Sequence, residues 1–252
     1  MGGFPVQVLR FDSLASTNSE AARHAVLGAS EGLCIIAAEQ TAGRGRLQRQ
    51  WASPKDAGLY FSVLLRPKIE QRLWPLITLA AALAVSEAVY ECYELETDIK
   101  WPNDILVNEK KLCGILAETV ETSIGRAVVL GIGINLTSKF LSADVVTAAT
   151  SVEEATGKVL APRLIERALI RAIQKRYHAL QSSKGIEAIV SEWSTRSSYA
   201  SGKKVRITIG DSVIAGTTRG IEIDGALRIE TDTGEIRKVR AGDLTVLRPS
   251  ES

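Results

Sequence analysis

A chain of 252 residues, 45% hydrophobic and 24% charged, has the makeup of an ordinary globular protein, long enough for one large domain or a catalytic domain with a small appendage. Its formal net charge of +2 excludes a whole-molecule electrostatic case for nucleic acid or an anionic membrane surface. No stretch reaches the roughly 20 consecutive apolar residues that span a bilayer, Met1 to Pro5 lacks the basic start and apolar core of a secretory signal, and Cys34, Cys92 and Cys113, without metal-site spacing, fit a reducing cytoplasm.

In chain order, Thr17-Asn18-Ser19-Glu20 reads as a capping box with Thr17 as the cap. Ala21, Ala22, Ala25, Val26 and Ala29 then follow at helical spacing. Residues 33–39 form a β-rich apolar run, and the Gly- and Arg-rich stretch 41–50 cannot pack as a strand, so it is predicted as a loop. A strand over 59–65 stops at Arg66-Pro67, and 73–93 has the Ala/Leu content of a buried helix. Three β-like runs follow, 98–101 leading into 105–107, then 111–118 and 126–135, the first two joined as a hairpin through Asn108-Glu109. A short helix is predicted over 151–156, capped by Thr150 or Ser151. Helices over 163–180 and 185–195 come next. Past a Ser/Gly-rich break at 196–202, five short strands separated by Gly and Asp turns predict a small β-barrel. The expected layout is therefore an α+β domain over 1–198 and a barrel domain over 199–252.

Three segments carry chemistry. In Gln40-Thr41-Ala42-Gly43-Arg44-Gly45-Arg46, glycines permit close backbone approach and the arginines supply planar forks for phosphate or carboxylate. Alone, such a loop serves equally as a solvated surface loop or an RNA contact. Lys100-Trp101-Pro102-Asn103-Asp104 offers a cation and a carboxylate around a rigid turn, or simply a surface ion pair. In Lys110-Lys111-Leu112-Cys113-Gly114-Ile115-Leu116-Ala117-Glu118, Lys111 opens a strand in which Gly114 permits close approach. Gly131-Ile132-Gly133-Ile134-Asn135 follows, with neither a third glycine for a dinucleotide fingerprint nor a P-loop anywhere in the chain. Cys113 resembles a nucleophile, but between Leu112 and Gly114-Ile115 it reads as a small buried hydrophobe.

Taken together and in order, Ser16-Thr17-Asn18, Gln40 through Arg46 with Trp51, Lys100 through Asp104, Lys111 through Gly114 and Gly131 through Asn135 resemble the biotin protein ligases, with Ala149-Thr150-Ser151 and the barrel also fitting. The resemblance implies a class II aminoacyl-tRNA-synthetase-like catalytic domain, with a mixed β-sheet and flanking helices, followed by an SH3-like barrel. It implies activation of biotin with ATP and Mg²⁺ to biotinyl-5′-AMP, then transfer to a lysine on the biotinyl domain of a carboxylase. Ser16, Thr17, Asn18, Gln40, Arg44, Gly45, Arg46, Lys111 and Gly114 would then bind biotin. Arg46, Trp51, Lys100, Asn103, Asp104 and Asn135 would bind the nucleotide, with Asp104 in the metal region and Lys111, Arg44 and Arg46 catalytic. Gln48 stands where the family loop commonly has a glycine, and only fifteen residues precede Ser16, which implies a ligase without a DNA-binding half. Lipoate ligase is the nearest enzyme alternative, and a non-catalytic biotin- or nucleic-acid-binding protein is the alternative of another class. Monomer and homodimer both remain open.

Overall fold

The computed structural model of the protein describes residues 4–139, 147–158 and 161–246. Met1 to Gly3 of the N-terminal stretch, and 247–252 at the end of the predicted barrel domain, lie outside the described residues. One sheet is built from β1 (Gln7–Leu14), β2 (Leu33–Gln40), β3 (Gly58–Leu65), β4 (Asp98–Lys100), β5 (Asp104–Val107), β6 (Lys110–Thr122) and β7 (Gly125–Asn135), in the order β1-β2-β3-β7-β6-β5-β4. The pair β1–β2 is parallel because helix α1 (Thr17–Val26) carries the chain back between them. The other pairs are antiparallel.

Helix α1 begins one residue earlier than the capping box predicts. Ser16, not Thr17, is the cap, accepting a bond from the Ser19 amide at 3.4 Å. Both residues offer a hydroxyl, and the choice is tertiary: that of Thr17 is taken up by Gln40 at 3.1 Å. The chain folds back at the rigid turn predicted within 100–104, at Trp101-Pro102, a cis peptide, so that β4 and β5 pair. The hairpin between β5 and β6 forms as predicted, with Asn108 and Glu109 at φ 49° and 64°, the paired left-handed residues of a tight two-residue turn.

Helix α2 (Pro75–Tyr93) starts with proline in its first turn, where a missing N–H costs nothing, and packs on the sheet and on helices α4 (Pro162–Ala179) and α5 (Ser183–Arg196). A short α3 (Val152–Thr156) is capped by Ser151. Among the described residues one helix, Gln71–Tyr93, is long and apolar enough to cross a bilayer, although Thr78, Ser86 and Glu87 interrupt its apolar run. Its Leu and Ala side chains are spent in the core instead. Its polar groups find partners there: Glu87 pairs with Lys175 at 2.7 Å and Arg176 at 2.8 Å, and Ser86 accepts from Thr97 at 2.9 Å.

The C-terminal strands β8 (Ser201–Ile209), β9 (Ser212–Ile221), β10 (Leu227–Glu230), β11 (Ile236–Val239) and β12 (Asp243–Val246) form a five-stranded antiparallel sheet of SH3-like type, in the order β11-β10-β9-β8-β12. Val205, Ile207, Leu227 and Leu244 of this sheet join the same apolar cluster as α2 and the large sheet. The Trp101 indole N–H also donates to the Gly225 carbonyl at 3.1 Å. The two sheets are thus docked through a shared core and a directed bond.

Leu83 is fully buried in that core. Leu83→Ala is expected to cost about 2–5 kcal/mol in chemical denaturation; a loss below about 1 kcal/mol would contradict its placement.

Candidate active site

Sheet register builds the floor of the site. Lys100, Asp104, Gly114, Gly133 and Tyr60 pair successively across five strands, and Leu116, Gly131 and Ser62 form the next row on the same face. Three of these positions are glycines, so the rows hold troughs where side chains would stand. Trp51 lies in one: a Cβ on Gly133 would stand 2.5 Å from its Nε1, and one on Gly114 2.9 Å from its Cζ3. Asn18 fills another, 2.1 Å from where a Cβ on Gly131 would be. Close approach, not turning, is what these glycines provide.

Strand alternation alone would place Lys111, three residues from Gly114, on the opposite face. The ladder between β5 and β6 slips here, since Ile105 pairs with Cys113 but Leu106 pairs with Lys111. Leu112 is the extra residue of a β-bulge, which returns Lys111 to the face of Gly114. A Cβ on Gly114 would indeed stand 3.2 Å from Lys111 Cε. Lys111 Nζ lies 2.7 Å from Asp104 Oδ1, an ion pair without hydrogen-bond geometry, and 5.2 Å from the centroid of the Trp51 ring.

Two cavities meet at this point. The first, of about 130 Å³, is lined by Ser16, Thr17, Asn18, Gln40, Arg44, Gly45, Arg46, Lys111 and Gly114, the set assigned to biotin from sequence, and also by Trp51, Asn103 and Asp104. The second, of about 590 Å³, is lined by Asn135, Ala148 and Ala149, with Gln40, Gln50, Trp51 and Lys111 common to both. Asn135 donates to the carbonyls of Lys111 (3.3 Å) and Thr150 (3.0 Å), tying β6 to the segment before α3. Lys100 lines neither cavity. It shares the row of Asp104 but sits one strand further out, on the edge strand β4.

A buried polar network shapes the inner end. Gln40 Oε1 accepts from the Thr17 amide at 2.8 Å, and Gln40 Nε2 donates to Ser53 Oγ at 2.8 Å. Ser62 Oγ lies 2.8 Å from Thr17 Oγ1 and 2.6 Å from Asn18 Oδ1, so its single proton serves one of them. Asn18 Nδ2 donates to Glu118 Oε2 at 2.7 Å, and Arg44 Nη2 donates to the same oxygen at 2.8 Å. Sequence reasoning gave no role to Glu118 and missed Ser62 and Asp243, the last of which lines the first cavity. Only Ser62 left a signal, a hydroxyl inside the apolar run 59–65.

The loop 43–50 brings three guanidinium groups to the mouth. Arg46 donates to Asn103 Oδ1 at 3.2 Å and to the Gly242 carbonyl at 3.3 Å. Burial lowers its pKa, while Asp104 and Asp243 act in the other direction. Gln48 takes φ 60° and Leu47 φ 53°. A glycine at 48 would accept this backbone without strain. Among the described residues no group of three potential metal-ligating side chains occurs. Lys111, Arg44 and Arg46 on the cavity lining can hold anions, and Asp104, also on the lining, offers a carboxylate to a metal carried in by a ligand.

Cys113 is no nucleophile: burial pushes its thiol far above the ordinary range, and Lys111 only partly opposes this. At about pH 8, where an ordinary exposed thiol reacts, alkylation of the native protein is expected to label the half-buried Cys92 before Cys34 or Cys113. Mass-mapped labelling of Cys113 first would overturn this.

The profile of the Biotin/lipoate A/B protein ligase family matches residues 11–135, and that of the Biotin protein ligase C terminal domain matches 200–244. The chain is 36% identical to the bifunctional ligase/repressor BirA of Bacillus subtilis, over 92% of this chain and 72% of that protein. It is 34% identical to the biotin–[acetyl-CoA-carboxylase] ligase of Mycobacterium tuberculosis, over 92% and 86%. The structure superposes on a biotin protein ligase from Aquifex aeolicus in complex with biotin and ATP with a TM-score of 0.83 and 30% identity, covering 96% of this chain and 99% of that one. The chain therefore belongs to the biotin protein ligase family.

Proposed function

We propose that the chain condenses biotin with ATP in the two joined cavities, releasing pyrophosphate, and passes biotin from the resulting biotinyl-5′-AMP to a lysine of a carboxylase's biotinyl domain. The observation that carries this is the position of Lys111 where the cavities meet, with Arg44 and Arg46 on the loop beside it. Attack of a carboxylate on the α-phosphate brings two anions together. Fixed cations in a site partly closed to water oppose that repulsion and stabilise the charge that develops. Ser16, Thr17, Asn18 and Gln40 face the first cavity with donors and acceptors suited to a ureido group. Trp51 and Asn135 border the second, which takes the nucleotide. Biotin is favoured over lipoate by the match of 200–244 to the Biotin protein ligase C terminal domain.

In the transfer half, the amine attacks the acyl carbon, the C–O bond to phosphate breaks and AMP leaves. Asp104, whose Oδ1 lies 2.7 Å from Lys111 Nζ, is the candidate to take the amine's proton once Lys111 turns to the substrates. Mg²⁺ fits as an ion brought in by the nucleotide, with Asp104 on the cavity lining as a carboxylate that would hold it, where it would offset phosphate charge. The lone pairs and cations in question are otherwise supplied by the chain itself. The catalytic domain runs over 1–198 and the SH3-like domain over 199–252. Three free cysteines and the family's acceptor proteins fit a cytoplasmic setting.

Incubation of the protein with MgATP, biotin or lipoate, and an apo-biotinyl domain should add the mass of biotin to that domain; addition of lipoyl alone would overturn the reading. Lys111→Ala is expected to retain the fold and to lose adenylate formation by at least about a hundredfold, the scale set by removing one group that stabilises a transition-state anion. Wild-type rates would refute its role. Gly131→Ala, whose methyl group would collide with Asn18, is expected to weaken biotin binding at least about tenfold by calorimetry, through displacement of that side chain. Unchanged affinity would remove Asn18 from the pocket.

A further inference from the structure

The loop 43–50 is gripped from the other domain. Asp243, the first residue of β12, stands 194 positions along the chain from Arg49 and accepts from its guanidinium in a two-pronged contact, one prong of which measures 3.2 Å. Its neighbour Gly242 supplies the carbonyl that Arg46 reaches at 3.3 Å. Gly242 adopts φ 148°, and a Cβ there would stand 2.5 Å from Ile207 Cγ2 and 3.0 Å from the Thr208 carbonyl oxygen. Glycine is what lets the start of β12 lie so close to β8, with this carbonyl presented to Arg46.

The two gripped arginines flank Leu47 and Gln48, both non-glycine residues in the left-handed region. Such a turn persists only where its surroundings hold it. Inside the catalytic domain Arg46 also bonds Asn103 at 3.2 Å, and Arg44 bonds Glu118 at 2.8 Å. Among the described contacts of Arg49, the forked one is with Asp243, and Asp243 itself lines the first cavity.

We propose that Asp243 of the C-terminal domain is a positioning residue for the reaction: by holding Arg49 beside the Gly242–Arg46 contact, it fixes the strained turn of the arginine loop over the acyl-adenylate. This rests on the acyl-adenylate reading given above. The C-terminal domain then completes the mouth of the active site, and substrate retention depends on an ion pair that crosses between the domains. Asp243 acts through the loop and takes no part in the bond changes.

The test uses the full chain with Asp243→Asn, Asp243→Ala, and the reversed pair Arg49→Asp with Asp243→Arg. Two rates are read: trypsin cleavage after Arg44 and Arg46 in the ligand-free protein, and escape of biotinyl-adenylate formed from MgATP and biotin without a carrier. Both single variants are expected to raise each rate about two- to fivefold, the range a partly exposed ion pair commands. Melting temperature should stay within about 2 °C of wild type, and the reversed pair should return cleavage towards the wild-type rate. Wild-type cleavage and escape in Asp243→Ala, or a lowered melting temperature with both loop rates unchanged, would overturn the proposal. A wild-type protein that forms no adenylate strikes the functional reading instead, and the trypsin rates still judge Asp243.

Discussion

The ion pair between Lys111 and Asp104, set 2.7 Å apart beside the Trp51 ring, is the contact on which the rest of the site depends. Lys111 is brought there by one extra residue in a strand, Leu112, without which its side chain would enter the helical layer with Cys113. The glycine trough at Gly114 and Gly133 lets Trp51 lie flat against the sheet, so that Lys111 and Trp51 together form the wall between two cavities. A lysine in that wall borders both cavities.

The same logic extends around the mouth. Arg44 rests on Glu118, Arg49 on Asp243, and Arg46 lies within the field of Asp104 and Asp243. Each carboxylate keeps a cation oriented near where a substrate anion would arrive. A pre-oriented cation stabilises developing charge without having to reorganise at the moment of reaction. These pairs are partly exposed, so their contribution to folding is small, and their value is positional. Stability comes instead from the buried layer of α2, α4 and α5 under the sheet, a core the C-terminal sheet shares.

Periodicity made the architecture readable. The strands at 33–40 and 58–65, the helix over 75–93 and the five-stranded sheet after residue 200 lie within a few residues of where apolar spacing and turn residues put them. Local chemistry misjudged what tertiary context decides. Ser16 caps α1 because the Thr17 hydroxyl is taken by Gln40. Lys100 shares the row of Asp104 yet falls outside the cavities, since motif membership does not say which strand is the edge. The ordered motifs located most of the wall residues, but Glu118 and Asp243 are lone acids with no local pattern. Only the register of β6 and the docking of β12 show what they hold.

The central claim is that Lys111 leaves Asp104 to bridge the two substrates. It is tested most directly by a crystal structure of the chain with a non-hydrolysable biotinyl-adenylate analogue. The account predicts Lys111 Nζ within about 3 Å of both the acyl oxygen and a phosphate oxygen, with Arg44 or Arg46 on the phosphate. Lys111 still paired with Asp104, and the analogue held without it, would contradict the account.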